Sequence, residues 1–81
     1  MDWFVYILEG NDKTLYTGIT NNLEKRIKAH NSKKGAKSLL GKLPVKLVYN
    51  ETLKDRSEAS VREAQIKKLT RKDKLDLVKG R

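Results

Sequence analysis

Apolar residues gather in a few short runs, and the first of them predicts a β-hairpin at the start of the chain. Residues 3–8 are aromatic, β-branched or aliphatic without a polar break, which is typical of a strand that is buried on both faces. Residues 9–13 are turn-forming, and residues 14–20 have the composition of a returning strand. We therefore expect two antiparallel strands joined by a short loop.

The register of this hairpin decides which side chains face one another. If Leu8 pairs with Thr14 across the loop, Tyr6 lies opposite Tyr16. Because side chains alternate between the two faces of a strand, both phenols then occupy one face of the sheet. Gly18 lies two residues further along the same face. The hairpin thus predicts a pair of tyrosines beside a glycine.

Capping residues and helical spacing predict a helix directly after the hairpin. Either Asn21 or Asn22 is a suitable N-cap, and the helix is expected to cover residues 23–31. Residues 32–43 form a basic connection whose structure the pattern leaves open, with a short helical turn near residues 36–40 as one alternative.

The second half of the chain predicts one further strand and two helices. Pro44 precedes an apolar strand at residues 45–49, and two capping patterns place the start of a helix near residue 56, with its end near residue 69. Thr70 begins a final helix, and Gly80 stands where a C-terminal cap belongs. The order strand, strand, helix, strand, helix, helix indicates an α+β fold with helices packed against a small sheet.

The composition excludes several classes of protein. Because there is no cysteine, a disulfide framework, a thiolate zinc site and a cysteine nucleophile are all ruled out. The longest apolar run, at residues 3–8, is too short to cross a membrane and lacks the flanks of a signal peptide. A chain of 81 residues is expected to form a single domain, and we predict a soluble, cytoplasmic protein.

The net charge of +9 is unevenly distributed. Residues 25–46 hold eight basic residues and no acid, and residues 62–81 hold eight basic residues against three acids. Two basic blocks predict a surface that binds nucleic acid, and lysine outnumbers arginine fourteen to five, which favours contacts to the phosphate backbone. A solvated lysine-rich face is the alternative. The candidate contacts are Lys25, Lys28, Lys33, Lys34, Lys37, Lys42, Lys67, Lys68 and Arg71.

Ionisable residues lie on two helical faces that should be apolar. At about 100° per residue, Arg26 and His30 flank the stripe formed by Leu23 and Ile27. In the next helix, Glu63 falls within the apolar stripe. Burying a charge is costly unless the charge is paired or binds a metal. A structural Arg26–Glu63 ion pair is one explanation, and a chemical site is the other.

These groups together have the composition of a phosphoryl-transfer site. Tyr6, Tyr16 and His30 are suited to handling a proton or orienting water, and Arg26 can stabilise charge on a phosphate. A single carboxylate, Glu63, can hold a divalent metal if water and substrate phosphate complete the coordination.

The same residues resemble the signature of the GIY-YIG nuclease family. Val5-Tyr6-Ile7 stands at the first signature element and Tyr16-Thr17-Gly18 at the second, and the helix with Arg26 and His30 follows in family order. The resemblance covers residues 3–78 and implies a three-stranded antiparallel sheet flanked by helices. It also implies one Mg²⁺ or Mn²⁺ held by Glu63.

The resemblance implies a role for each of the other site residues. Tyr6 would be the general base or would orient the attacking water, and Tyr16 would line the site and share that role. Arg26 would stabilise the charge that develops on the scissile phosphate, and His30 would contact the phosphate or assist proton transfer. Gly18 would allow the backbone to pack close to the site.

Departures from the family pattern leave two functions open. There is no asparagine beyond Asn50, although many catalytic members carry one after the glutamate, and residues 38–40 also differ from the expected run. The first hypothesis is a metal-dependent endonuclease that cleaves DNA with low sequence specificity. The second is a non-catalytic nucleic-acid-binding module on the same scaffold. Whether the chain is an enzyme therefore stays open at this point.

Overall fold

A three-stranded sheet carries helices on both of its faces. The computed structural model describes residues 2–32 and 41–80, so the helical turn considered near residues 36–40 lies outside the described residues. The elements follow the predicted order. They are β1 (Trp3–Glu9), β2 (Leu15–Thr20), α1 (Leu23–Asn31), β3 (Lys46–Leu53), α2 (Arg56–Lys67) and α3 (Arg71–Val78).

The first strand of the chain is the central strand of the sheet. The strand order is β2-β1-β3, and both pairings are antiparallel. Val5, Tyr6, Ile7 and Leu8 are fully buried because helices cover β1 from both sides. This position explains why the apolar run in β1 shows no polar alternation.

The hairpin register differs by two residues from the predicted one. Tyr6 pairs with Gly18, and Tyr16 pairs with Leu8, so the expected Tyr6–Tyr16 pairing is wrong. A slip of two residues preserves the face on which every side chain lies, because side chains alternate with a period of two. Both phenols therefore still point to the same side of the sheet.

The loop between β1 and β2 accounts for the difference in register. The Gly10 N–H donates to the Thr14 carbonyl over 2.9 Å, and the Asp12 carboxylate accepts the Thr14 N–H over 3.0 Å. These bonds close a loop over residues 10–14, so Glu9 remains in the strand and pairs with Leu15. The loop has the predicted length and is displaced by one residue.

The two faces of β1 form two separate cores. On one face Tyr6 and Leu8 are buried with Val45, and Leu23 and Ile27 of α1 pack against them. The alternation of β1 thus places Tyr6 beneath α1.

The opposite face carries α2 and α3. Val5 and Ile7 are buried there with Ile66 of α2, and Leu77 and Val78 of α3 complete the cluster. The buried Ile66 of α2 and the Tyr6 ring therefore lie on opposite faces of the sheet.

Side-chain caps determine where the helices begin. Asn22, Asp55 and Thr70 each accept a hydrogen bond from the backbone N–H three residues later, as their capping patterns predict. Gly80 has a φ of 80°, which suits the predicted C-terminal cap. The α2 helix ends at Lys67, two residues before the predicted end.

The third strand is longer than its apolar segment. β3 starts at Lys46 rather than at the predicted residue 45, and it continues past residue 49 to Leu53 because it pairs along the whole of β1. Its start is tied to α1 by Asn31, whose side-chain Oδ1 accepts the Val45 N–H over 2.8 Å and whose Nδ2 donates to the Val45 carbonyl over 3.2 Å. This pair of bonds holds the last turn of α1 beside the sheet.

Candidate active site

A tyrosine and a histidine meet in the core beneath α1. Tyr6 Oη lies 3.2 Å from His30 Nε2, and both residues are only 1% exposed. The ring of Tyr16 stands at the edge of the pair, with its centroid 5.6 Å from that of His30 and 6.4 Å from that of Tyr6. The hairpin and the last turn of α1 thus bring these three rings together.

The guanidinium of Arg26 joins this group from one helical turn earlier. Arg26 is half-buried, and the Tyr6 and Tyr16 phenols both act to raise the pKa of its guanidinium. The interaction with the Tyr6 phenol is the largest cause of this rise in pKa, so Arg26 stays charged. The helical wheel of α1 placed Arg26 and His30 beside the sheet, and both side chains lie there.

The environment keeps both members of the Tyr6–His30 pair neutral at neutral pH. Burial raises the pKa of the Tyr6 phenol above its usual 10.0, although Arg26 acts in the opposite direction. Burial also lowers the pKa of His30 below its usual 6.5, and the positive charge of Arg26 lowers it further. The hydrogen bond therefore joins a phenol to a neutral imidazole.

Gly18 leaves the space that the Tyr6 phenol occupies. A Cβ atom at residue 18 would lie 2.5 Å from Tyr6 Oη and 2.7 Å from Tyr6 Cζ. It would also lie 3.2 Å from Cε2 of Tyr16. Any side chain at this position would thus displace the phenol from its place.

We expect Gly18→Ala to destabilise the protein and to displace Tyr6. Overpacking of a well-filled core costs about 1–3 kcal/mol, which a denaturant unfolding curve would measure. Gly41→Ala is the matched control, because a Cβ atom at residue 41 has no neighbour within 4 Å. Equal stability of the two variants would contradict the close packing.

The Glu63 carboxylate approaches this cluster from α2. The residue lies beside the buried Ala59 and Ile66, its side chain is 25% exposed, and it forms an ion pair of 3.4 Å with Lys67. Its negative charge contributes to the raised pKa of Tyr6. The position of Glu63 within the apolar stripe of α2 predicted a buried carboxylate. The structure instead places Glu63 at the border of the core.

The structure does not form the ion pair considered as an explanation for Arg26 and Glu63. Among residues 2–32 and 41–80, the ion pair of Glu63 is the one with Lys67, and Arg26 approaches the two phenols instead. A purely structural Arg26–Glu63 bridge is thus a wrong expectation.

The residues present fit a metal that keeps most of its water ligands. Within the described part of the chain, no group of three histidine, aspartate or glutamate side chains lies close enough to hold an ion. Mg²⁺ is commonly bound by one or two carboxylates together with water and substrate phosphate. A single, partly exposed carboxylate such as Glu63 suits that arrangement.

Several of the predicted nucleic-acid contacts are engaged within the protein. Lys28 lies 3.7 Å from Glu24, and Lys42 lies 4.0 Å from Asp12. Exposed pairs of this kind are weak, so they leave the ammonium groups available to an anion.

The remaining basic candidates differ in their surroundings. Arg71 donates to the Lys13 carbonyl over 2.9 Å. Lys25 and Lys68 are exposed and form no ion pair with any other residue that the structure describes. The other three candidates, Lys33, Lys34 and Lys37, lie outside the described residues.

The burial of His30 predicts a pH dependence of stability. Because its folded-state pKa is lowered, the unfolded chain binds the proton more readily, and stability should fall as the pH drops through about 6.5. Asp12 and Glu51 also have lowered pKa values, but their contributions to the stability of the folded protein are lost only at more acidic pH.

Unfolding curves at about pH 8 and about pH 5.5 would test this expectation in the wild type and in His30→Gln. The variant should show a smaller loss of stability between the two conditions. An equal loss in both proteins would show that other groups cause the dependence.

The fold and the clustered side chains define a known class of protein. Residues 2–76 match the family model described as the GIY-YIG catalytic domain. Since the match spans nearly the whole chain, this protein belongs to the GIY-YIG family. The α+β fold with a three-stranded antiparallel sheet, expected from the resemblance, is confirmed by solved structures of relatives.

Within that family the chain is similar to the UPF0213 proteins. It is 58% identical over 78 residues to UPF0213 protein CPE1444 of Clostridium perfringens. The aligned region covers 96% of this chain and 84% of that protein. The solution NMR structure of UPF0213 protein BH0048 from Bacillus halodurans superposes with a TM-score of 0.63 at 42% identity, covering 98% of this chain and 84% of that one. The solution NMR structure of protein EF2693 from E. faecalis gives 0.67 at 40% identity, covering 99% and 85%.

No helix in the described ranges combines the length and the apolar character that a membrane crossing requires.

Two residues that meet on the opposite face of the sheet carry no signal in the sequence. Arg62 precedes Glu63 and binds Glu51 of β3 with its guanidinium. The two residues are eleven positions apart and belong to different elements, so no periodicity relates them. Only the packing of α2 against the sheet brings them together.

Proposed function

We propose that this protein is a metal-dependent endonuclease that hydrolyses phosphodiester bonds in DNA with low sequence specificity. The observation that carries the proposal is that Tyr6, His30 and Arg26 lie in one cluster. The negative charge of Glu63 acts on this cluster by raising the pKa of Tyr6. Membership of the GIY-YIG family supports a nuclease fold and a nucleic-acid substrate.

Tyr6 and His30 handle the proton of the attacking water. The phenol is neutral at neutral pH, so it accepts a proton from water only if it releases its own. The imidazole Nε2 lies 3.2 Å away and is neutral, and in the tautomer protonated on Nδ1 it accepts the phenol proton. The water oxygen then forms the new bond to phosphorus while the bond from phosphorus to the leaving oxygen breaks. The proton of the attacking water ends on His30, and the leaving oxygen takes a proton from solvent water.

Arg26 stabilises the charge that develops on the phosphate. Its guanidinium stays protonated because the two phenols raise its pKa, so a cation is already in place when the transition state forms. Preorganised donors of this kind contribute about 10²–10³-fold to a reaction rate. Tyr16 lines the same side of the site and helps to orient the guanidinium.

Glu63 is the residue that would hold the divalent metal. When bound, such an ion acts as a Lewis acid on the phosphate and stabilises the leaving oxygen. Glu63 suits this role because its carboxylate is partly exposed and has a lysine as its ion-pair partner, from which it can be released.

Basic side chains around the site attract the nucleic-acid backbone. Lys25 lies next to Arg26 on α1, and Lys28 lies on the exposed face of the same helix. Lys67, Lys68 and Arg71 lie at the end of α2 and the start of α3. Contacts of this kind bind phosphates without reading bases, which agrees with low sequence specificity.

A non-catalytic binding module is the second candidate function. The absence of an asparagine after Asn50 and the single carboxylate favour it. An NMR titration with Mg²⁺ distinguishes the two candidates, because shifts centred on Glu63 support the enzyme. Backbone binding that weakens as salt rises is expected from both.

A nuclease assay on branched, nicked and single-stranded DNA in Mg²⁺ or Mn²⁺ tests the proposal. We expect cleavage that a chelator abolishes and that Arg26→Met lowers by about 10²-fold. Lys72→Gln, which also removes one positive charge, is the control and should cleave like the wild type. Cleavage that survives unchanged in Arg26→Met would come from a contaminant or from another site.

A further inference from the structure

A second network of polar side chains lies on the face of the sheet opposite to Tyr6. The Arg62 Nε lies 3.0 Å from each carboxylate oxygen of Glu51, and its Nη2 lies 2.9 Å from Oε2. The Tyr49 hydroxyl donates to the same carboxylate, and Arg62 Nη1 donates to Gln65 over 3.2 Å. The network therefore connects β3 to α2.

The geometry of this network is well defined. Arg62 and Glu51 are only 32% and 25% exposed, and the guanidinium meets the carboxylate as a fork. Burial acts to raise the pKa of Glu51, but the hydrogen bonds from Arg62 and Tyr49 hold it below its usual value. A forked arginine–carboxylate contact restricts direction as well as distance. It can thus fix the orientation of the helix that carries the arginine.

Arg62 and Glu63 lie on opposite flanks of the stripe through which α2 contacts the sheet. At about 100° per residue, the buried Ala59 and Ile66 fall between them on the helical wheel. Arg62 reaches towards β3 on one flank, and Glu63 is presented on the other. A roll of α2 about its axis would therefore move both side chains together.

A small roll would be enough to disturb the site. The side-chain envelope of a helix has a radius of about 5–6 Å, so a roll of about 10° moves a carboxylate by about 1 Å. A misplacement of about 1 Å can lower a reaction rate about 10²-fold. The buried residues of α2 are Ala59 and Ile66, and the half-buried Arg62 and Glu63 flank them.

We propose that the Arg62–Glu51 pair fixes the roll of α2 and thereby sets the position of the Glu63 carboxylate relative to Tyr6. Both residues are positioning residues, since Arg62 lies on the flank of α2 opposite to Glu63 and Glu51 lies on β3. The consequence for catalysis rests on the proposed endonuclease function, whereas the positioning itself does not.

The kinetic test compares variants of this pair. Arg62→Met and Glu51→Gln should each lower kcat by about 10- to 100-fold, with KM for DNA changed less than about twofold. Arg62→Lys should recover part of the loss, because lysine keeps the charge but not the fork. Lys72→Gln is the control for the loss of one positive charge. Unchanged cleavage in Arg62→Met, or a loss confined to KM, would overturn the proposal.

A second readout needs neither metal nor substrate. The three tyrosines are replaced biosynthetically by 3-fluorotyrosine, whose phenol is more acidic, and ¹⁹F NMR then follows the ionisation of residue 6. The shift in the pKa of residue 6 caused by Glu63→Gln is measured in the wild-type and Arg62→Met backgrounds. These four proteins form a double-mutant cycle. Because the Arg62 charge is the same in both members of each comparison, its direct effect on residue 6 cancels when the two shifts are subtracted.

The double-mutant cycle tests whether Arg62 positions Glu63, and it does so whether or not the protein cleaves DNA. We expect the shift that Glu63→Gln causes in the pKa of residue 6 to be about half as large, or less, in the Arg62→Met background as in the wild-type background. The same shift in both backgrounds would overturn the proposal. If the wild type shows no cleavage, the endonuclease function fails while this measurement still tests the positioning. Should Arg62→Met fail to fold, the cycle is run with Arg62→Lys, for which a smaller reduction supports the proposal and none overturns it.

Discussion

Replacing Glu63 with glutamine is expected to lower the rate of DNA cleavage about 10³-fold or more, because an amide would not hold the divalent metal that we propose for Glu63, and such a metal contributes several kcal/mol to the transition state. Glu63→Asp should retain part of the activity, since it keeps the charge and shortens the side chain by one methylene. Single-turnover rates in Mg²⁺ and in Mn²⁺ would measure both effects.

The control for this prediction is Glu58→Gln, the same substitution on the same helix. Glu58 accepts the Lys54 N–H at the start of α2 and lies away from the site, so its loss should change the rate less than about twofold. Glu63→Gln should remain folded, because its ion pair with Lys67 is worth only about 0.3–0.5 kcal/mol. If Glu63→Gln and Glu58→Gln cleave equally well, Glu63 does not hold the metal.

Replacing Tyr6 with phenylalanine is the second large effect that we expect. The substitution keeps the buried ring and removes the hydroxyl that, in the proposed function, orients water and passes the proton to His30, so kcat should fall about 10²–10⁴-fold. The loss of the Tyr6–His30 hydrogen bond should cost about 1–3 kcal/mol of stability, because it removes the phenol partner of a buried imidazole. Thermal unfolding separates this effect from the loss of rate.

Tyr16→Phe provides the comparison for Tyr6. The Tyr16 ring lies on the same face and approaches Arg26, but it contacts His30 by its edge only. We therefore expect a smaller loss, of about tenfold. A larger loss for Tyr16→Phe than for Tyr6→Phe would transfer the proton-handling role to Tyr16.

The sequence alone was sufficient to locate most elements of the fold. The apolar run at residues 3–8 predicted β1, and the caps at Asn22, Asp55 and Thr70 marked the helix starts, because these signals depend on neighbouring residues only. The end of β3 could not be predicted, since residues 50–53 are mostly polar and are drawn into the sheet by pairing with β1.

The candidate site was predictable in its composition and less so in its geometry. The helical wheel placed Arg26 and His30 on the face towards the sheet, and strand alternation placed both tyrosines on one face. Neither pattern contains a distance, so the contact between Tyr6 and His30 appears only when α1 packs over β1.

Local periodicity determined which side chains share a face, because a period of 3.6 in helices and of two in strands is a property of the backbone itself. Tertiary packing decided which faces meet. It left Glu63 partly exposed with Lys67 as its partner and joined Arg62 to Glu51, while closure of the β1–β2 loop shifted the hairpin register by two residues. These outcomes depend on loop closure and on how α2 fits its neighbours, and such contacts between distant segments leave no periodic trace in the order of residues.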